Sequence, residues 1–312
     1  MSLPNRNLLT NLNPQQVQGV EHKDGPLLIL AGAGTGKTRV ITHRIAYLIG
    51  ALGVRPWNIL SLTFTNKAAD EMKERAVELV GEEGRGVLLC TFHSFCNYIL
   101  RREIQHLPPF QPGFSIYDET DSASCIKNIL KQLEITGTGG CSPGRIKSII
   151  SKAKNFDTVP SEYVSTNELL SDYIQTISEK YCKSLEHNNA LDFDDLLLKT
   201  SELFRNNTNV LKRYKDRFRF ILVDEYQDTN TPQYELLKLL AAPRGNITVV
   251  GDLDQSIYGW RGANVGNMYS FEQDFENVRV VTLEQNYRSR QNILDAANEL
   301  IRYNQGLRDK SL

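Results

Sequence analysis

Along the first hundred residues, short apolar runs alternate with segments whose apolar positions recur at helical spacing. Leu27–Leu30, Ile59–Thr63 and Val87–Cys90 read as strands, apolar enough to be buried on both faces. Lys37–Ile49, Asn66–Val80 and Phe92–Arg102 read as the helices between them. This alternation predicts an α/β fold: a parallel sheet with helices on both faces. The rhythm stops at Pro108-Pro109-Phe110-Gln111-Pro112. Helical periods follow at Glu119–Leu133, Pro143–Lys154 and Thr166–His187, joined by a flexible loop over Gly137–Gly144 and a turn at Val159-Pro160. An inserted all-α subdomain over 106–190 is the expectation. The alternation resumes with helix Phe193–Phe204, strand Arg219–Val223, helix Thr231–Leu240 and strand Ile247–Val250, so 1–105 and 191–280 are expected to form one domain. Strand Arg279–Leu283 and helix Ser289–Tyr303 come last. A strand and a helix cannot bury a core of their own. They either dock on the first domain or open a second one, assigned here to 281–312.

The apolar runs end in chemistry. Ala31-Gly32-Ala33-Gly34-Thr35-Gly36-Lys37-Thr38 lies between the first strand and its helix. Small residues there let backbone N–H groups close around a polyphosphate, and the helix N-terminus favours the negative charge. Lys37 can reach the β- and γ-phosphates and Thr38 can offer its hydroxyl to Mg²⁺. The pattern usually opens on Gly, and Ala31 departs from it. A glycine-rich turn that merely links strand to helix is the plainer alternative. A second site argues against it: Phe220-Ile221-Leu222-Val223 ends in Asp224-Glu225. Asp224 suits a Mg²⁺ ligand and Glu225 suits polarising a water. Ligands of open α/β sheets sit outside the carboxyl ends of the strands, where both motifs fall. Together they point to nucleoside triphosphate hydrolysis.

Composition adds limits. The 312 residues leave room for about two domains. With 36 Lys and Arg against 37 Asp and Glu, no global basic field draws in nucleic acid, so any such contact needs a local groove. Five cysteines (Cys90, Cys96, Cys125, Cys141 and Cys182) lack zinc spacing, and their odd number argues against a disulfide framework and for a reducing compartment. No apolar run reaches membrane-spanning length, and residues 1–12 lack a signal-peptide core. A soluble intracellular protein is expected, in a bacterial cytoplasm or a eukaryotic nucleus.

The segment Gly251-Asp252-Leu253-Asp254-Gln255-Ser256-Ile257-Tyr258-Gly259-Trp260-Arg261 follows a strand expected beside Phe220–Val223. Gln255 can sense a γ-phosphate or orient water. Tyr258 and Trp260, with Arg261 beside them, suit stacking on unpaired bases with a cation on the backbone. Core packing is the competing reading for both aromatics.

Taken in order, these motifs resemble those of superfamily 1 DNA helicases, the UvrD/PcrA/Rep group, over nearly the whole chain. The resemblance implies a P-loop, RecA-like motor domain. Leu12-Asn13-Pro14-Gln15-Gln16 resembles the upstream glutamine motif, implying that Gln16 reads adenine, and Arg39 resembles a residue near the nucleotide. Thr63-Phe64-Thr65-Asn66-Lys67-Ala68-Ala69 and Thr91-Phe92-His93-Ser94 resemble DNA-contacting motifs. They imply that Phe64 stacks on a base and that Thr91 and His93 approach the backbone. Leu191-Asp192-Phe193-Asp194-Asp195-Leu196 is a further shared block, with Phe193 a base contact. Val223-Asp224-Glu225-Tyr226-Gln227-Asp228-Thr229-Asn230 resembles the Mg²⁺ motif. Gln285-Asn286-Tyr287-Arg288-Ser289 resembles the next one, implying Tyr287 on adenine and Arg288 on the γ-phosphate. Taken singly, Phe64 and Phe193 read as core residues and His93 as a helix cap; the shared order favours the family reading.

The function implied is an ATP- and Mg²⁺-dependent 3′-to-5′ DNA helicase or translocase of DNA repair or replication, acting on single-stranded DNA and single/double-strand junctions. The family's later motifs are missing, so the expectation for this chain is a truncated form that lacks the second motor half, binds Mg-ATP weakly and does not unwind duplex. A module that binds ATP or single-stranded DNA without turnover is the alternative. A small-molecule kinase is disfavoured, because it leaves Gln255 through Arg261 without a task.

Overall fold

The computed structural model describes residues 8–135, 142–165, 169–242 and 244–301, with the side chains of Leu169 and Arg261 left out. Its strands are β1 (Leu27–Ala31), β2 (Ile59–Thr63), β3 (Leu88–Thr91), β4 (Ser115–Tyr117), β5 (Ala190–Asp192), β6 (Phe220–Val223), β7 (Ile247–Gly251) and β8 (Arg279–Leu283). Its helices are α1 (Pro14–Glu21), α2 (Lys37–Gly50), α3 (Asn66–Val80), α4 (Phe92–Glu103), α5 (Glu119–Gln132) and α6 (Pro143–Phe156). They continue with α7 (Leu169–His187), α8 (Phe193–Asn206), α9 (Thr208–Arg217), α10 (Thr231–Ala241), α11 (Gly266–Asp274) and α12 (Gln291–Ile301). Contacts divide the chain into two units. The first comprises Met1–Phe92, Lys212–Thr229 and Leu240–Leu312, the second His93–Leu211 and Asn230–Leu239.

The first unit holds the expected parallel sheet, in the order β3-β2-β6-β7-β1-β8, with every ladder parallel. All residues of β1, β2 and β7 are buried, which is why these segments show no polar alternation in the sequence. Leu27, Ile29 and Ala31 of β1 share a core with Val20 of α1, Val40, Ile41, Ile45 and Leu48 of α2, and Met72 and Ala76 of α3. Strand β8 pairs with β1 from Leu27↔Arg279 to Ala31↔Leu283. Of the two arrangements open to the last strand, it takes docking on the first sheet.

The second unit has a helical core. Ile126, Ile129 and Leu130 of α5 meet Ile146, Ile149 and Ile150 of α6 and Ile174, Ile177 and Tyr181 of α7. It is not purely helical: β4 and β5 form a two-stranded parallel ladder. Three-residue strands are too short to carry a readable alternation, which is why an all-α insert was expected there. Most of the expected loop over 137–144 and the first residues of the helix expected from Thr166 lie outside the described residues, as do Tyr303 and Cys141. Among the described residues Cys90, Cys96, Cys125 and Cys182 form no disulfide, and no helix is long and apolar enough to cross a membrane.

Beneath the helical core lies a knot of charge. Lys154 Nζ stands 2.7 Å from Asp195 Oδ1 and 3.0 Å from Asp192 Oδ2, and Lys147 Nζ stands 2.9 Å from Asp192 Oδ2 and 3.1 Å from Asp194 Oδ2. Tyr181 donates to Asp192 Oδ2 at 3.1 Å. Burial by itself would raise the Asp192 carboxyl, but Lys154 and Lys147 beside it hold it well below the usual carboxylate range. Replacing Lys154 by Met leaves Asp192 buried without one of its cations. We expect it to destabilise the second unit by about 3–5 kcal/mol, read by urea unfolding. Because the folded Asp192 value is depressed, its contribution is full above about pH 4 and is lost as pH falls through the lowered value. An unfolding curve unchanged by Lys154→Met would show the knot to be energetically idle.

Candidate functional site

The phosphate-loop motif sits where a parallel sheet places it, between buried β1 and α2. Ala31 is the last residue of β1, buried and extended, so the motif's first position needs no glycine here. Gly34 and Gly36 do need theirs, with φ of 71° and 90°, conformations other residues adopt only under strain. Gly36 is the N-cap of α2 and supplies no side-chain hydrogen bond, which leaves the helix's first N–H groups for an anion. Thr35 folds its hydroxyl back on Gly32 O at 2.8 Å.

Gln16, expected to read adenine, is 1% exposed and bound within the protein. Its Nε2 donates to Thr35 O at 2.9 Å, and its Oε1 accepts from Asn13 N–H at 3.1 Å in a capping box that starts α1. In this structure the amide ties α1 to the phosphate loop. The sequence reading gave no helix to 14–21, although Asn13 followed by Pro14 and Gln16 is a helix-start signature.

Lys37 and Thr38 open α2 and meet the end of β6. Thr38 Oγ1 donates to Asp224 Oδ2 at 3.2 Å. Burial first, and the charge of Glu225 second, push the Asp224 carboxyl up to about 6. A buried carboxylate beside a hydroxyl is a hard oxygen pair suited to magnesium. Among the described residues no group of three or more His, Cys, Asp or Glu forms a metal cage. Lys37 Nζ donates to Gln255 Oε1 at 3.1 Å and lies 3.6 Å from Glu225 Oε2. Glu225 is held left-handed, φ 50° and ψ 44°, a strained state for a residue with a side chain. The five residues Lys37, Thr38, Asp224, Glu225 and Gln255 thus converge.

The segment after β8 lies over the loop. Asn286 Nδ2 donates to Ala33 O at 2.5 Å, and Tyr287 N–H donates to Gly34 O at 2.9 Å. Asn286 Oδ1 accepts from the N–H groups of Arg288 and Ser289 at 2.8 and 2.9 Å, which fixes the turn carrying Arg288. Arg288 and Tyr287 are exposed, and Asn13 Nδ2 donates to Tyr287 Oη at 2.9 Å. Arg39 is exposed on the first turn of α2. The sequence reading passed over Asn286; its place between Gln285 and Tyr287 in the Gln285–Ser289 motif was the available signal.

At the same carboxyl edge Phe64 stacks on Tyr258 with centroids 5.0 Å apart, and Tyr258 meets Trp260 at 6.4 Å. Trp260 is 67% exposed, so it is not a core residue. Thr91 ends β3 and is nearly buried, and the Arg261 side chain lies outside the described residues. In the second unit Phe193 is 52% exposed at the start of α8, with His93 edge-on at 6.1 Å. Burial, outweighing the nearby Asp194, lowers the His93 pKa and favours the neutral ring.

The family model described as UvrD/REP helicase N-terminal domain matches residues 12–276. The ATP-dependent DNA helicase PcrA of Staphylococcus epidermidis is 48% identical over 306 residues, which is 98% of this chain and 42% of that protein. That of Staphylococcus aureus is 47% identical over 306 residues with the same coverage. The chain therefore spans less than half the length of these relatives.

A methyl group on Gly34 would lie 2.7 Å from Arg288 Cβ and 2.8 Å from Asn286 Nδ2. Gly34→Ala should therefore displace residues 286–288 from the loop. The expected outcome is faster hydrogen exchange at the Tyr287 amide with the β1 amides unchanged, and a Tyr287 amide equally protected in both proteins would refute it.

Proposed function

The chain belongs to the family of UvrD/REP helicase N-terminal domains, and from that premise we propose that it is the ATP-binding motor part of a 3′-to-5′ DNA helicase. The reading rests on one observation above all. The Lys37, Thr38, Asp224, Glu225 and Gln255 cluster lies at the carboxyl edge of the sheet that also carries the half-buried Phe64 and Tyr258 and the exposed Trp260. A triphosphate site and an aromatic platform on one rigid sheet are what a motor needs if nucleotide turnover is to alter its grip on single-stranded DNA.

In this proposal the uncapped N–H groups of α2 and the Lys37 ammonium bind the phosphates, while Thr38 and Asp224 hold the magnesium ion. Bound Mg²⁺ would neutralise charge developing on the transferred phosphoryl group. Glu225 orients and polarises the attacking water, Gln255 faces the γ-phosphate, and Arg288, on its Asn286-fixed turn, adds a cation over the loop. Tyr287 flanks the adenine. Phe64, Tyr258 and Trp260 stack on successive bases whatever their identity. In the second unit Phe193 offers a further base platform, with His93 supporting it.

Four measurements test this. Lys37→Ala should weaken binding of a fluorescent ATP analogue at least tenfold while leaving the fold intact by circular dichroism. Trp260→Ala should weaken binding of oligo-dT and oligo-dA alike, by about 1–3 kcal/mol. Parent affinity for either oligonucleotide should fall as salt rises. Oligo-dT should accelerate phosphate release by the parent chain. ATP binding without acceleration would instead identify a binding module without turnover.

A further inference from the structure

Five polar residues of the first unit close a ring that no single motif contains. Lys37 Nζ donates to Gln255 Oε1 at 3.1 Å, and Gln255 Nε2 donates to Asp252 Oδ2 at 2.7 Å. The backbone N–H of Asp252 donates to Gln227 Oε1 at 2.9 Å, and Gln227 Nε2 donates to Glu225 Oε2 at 2.8 Å. Glu225 Oε2 returns to Lys37 Nζ at 3.6 Å. Four of the five carry a charge or the nucleotide-facing amide. Gln227, 1% exposed, has no place in the proposed nucleotide site and joins the two halves of the ring.

Two observations mark this junction as built for contact. A Cβ on Gly251 would lie 2.8 Å from Gln227 Oε1, so the glycine at the end of β7 is what lets the backbone approach that amide. Gln227 is also tied to the aromatic segment directly. Its carbonyl accepts from Ser256 Oγ at 3.2 Å, and its Nε2 lies 3.3 Å from Asp228 Oδ2. The Asp228 carboxylate in turn accepts from the Ile257 backbone N–H. Among the described residues its Oδ1 is buried without a hydrogen-bond partner, an unsatisfied acceptor beside the junction. Residues 256 and 257 lead straight into Tyr258 and Trp260.

We propose that Gln227 is the positioning residue that transmits occupancy of the nucleotide site to the aromatic platform. The inference rests on the proposed function, since it needs a triphosphate that draws Lys37 out of the ring. Lys37 then leaves Gln255 and Glu225. Glu225 keeps its bond to the Gln227 amide, whose oxygen holds the Asp252 N–H. One planar amide fixes both partners at a set separation, so a shift of Glu225 is delivered to residues 252–257 and on to Tyr258 and Trp260. Glu225 and Asp252 follow adjacent strands, β6 and β7, whose pairing runs to Val223↔Val249, and past that pairing the Gln227 amide joins them.

Trp57 and Trp260 are the only tryptophans, so Trp57→Phe makes Trp260 the single reporter. In that background, a non-hydrolysable ATP analogue with magnesium should change Trp260 emission. Gln227→Ala and the near-isosteric Gln227→Glu, which keeps an acceptor for Asp252 but loses the donor to Glu225, should abolish the change. Nucleotide affinity, measured by a fluorescent analogue, should stay within about threefold. A merely structural role would lower thermal stability without separating these two readouts. Should both Gln227 variants fail to fold, Ser256→Ala cuts only the hydroxyl bond to the Gln227 carbonyl and should at least halve the response. A full Trp260 response in any folded variant overturns the relay and leaves the proposed function standing. A parent chain that binds no nucleotide overturns both. A parent that binds nucleotide without any Trp260 change overturns the relay alone.

Discussion

The first unit depends on one constraint: its six strands run parallel. Every carboxyl end therefore arrives at one edge, and with it the loops after β1, β2, β6, β7 and β8. A strand buried on both faces carries no chemistry along its length. The candidate site therefore begins just past the strand ends, at Gly32, Phe64, Asp224, Asp252 and the Gln285 segment. Crowding polar groups there has a cost, visible in an Asp224 carboxyl pushed up to about 6 and in the left-handed backbone of Glu225. Strain and perturbed acidity gather where a site is built.

The phosphate loop is not held by its own residues alone. Gln16 grips the Thr35 carbonyl from α1, while Asn286 and the Tyr287 amide grip Ala33 and Gly34 from beyond β8. Two segments that share no motif with the loop thus set its shape. The same fact accounts for Ala31: at a strand end, buried and extended, a methyl group disturbs nothing. Positive φ is what makes glycine necessary at positions 34 and 36.

The second unit solves a different problem. Its helices pack on aliphatic side chains, but Asp192, the cap of α8, is locked by Lys147, Lys154 and Tyr181. A buried ionic knot is a poor source of net stability and a good means of fixing one geometry. Here the geometry fixed is the start of α8, from which Phe193 projects into solvent.

The sequence by itself determined the strand–helix alternation of the first unit, the lysine-threonine loop and the paired carboxylates. Each is a local pattern whose chemistry lies within a few neighbouring residues. Asn66–Val80 and Arg279–Leu283 match the observed elements to the residue. Local pattern was silent on α1, α9 and α11 and on the three-residue strands β4 and β5, which are short or weakly periodic. Only the tertiary structure decided that β8 lies beside β1, that Gln16 faces the loop, and that Gln227 and Asn286 are hubs. Those contacts join residues far apart in the chain, as with the 253 positions between Asn286 and Ala33. An amide with two donors and an acceptor suits many partners equally, and chain folding alone selects which ones it meets.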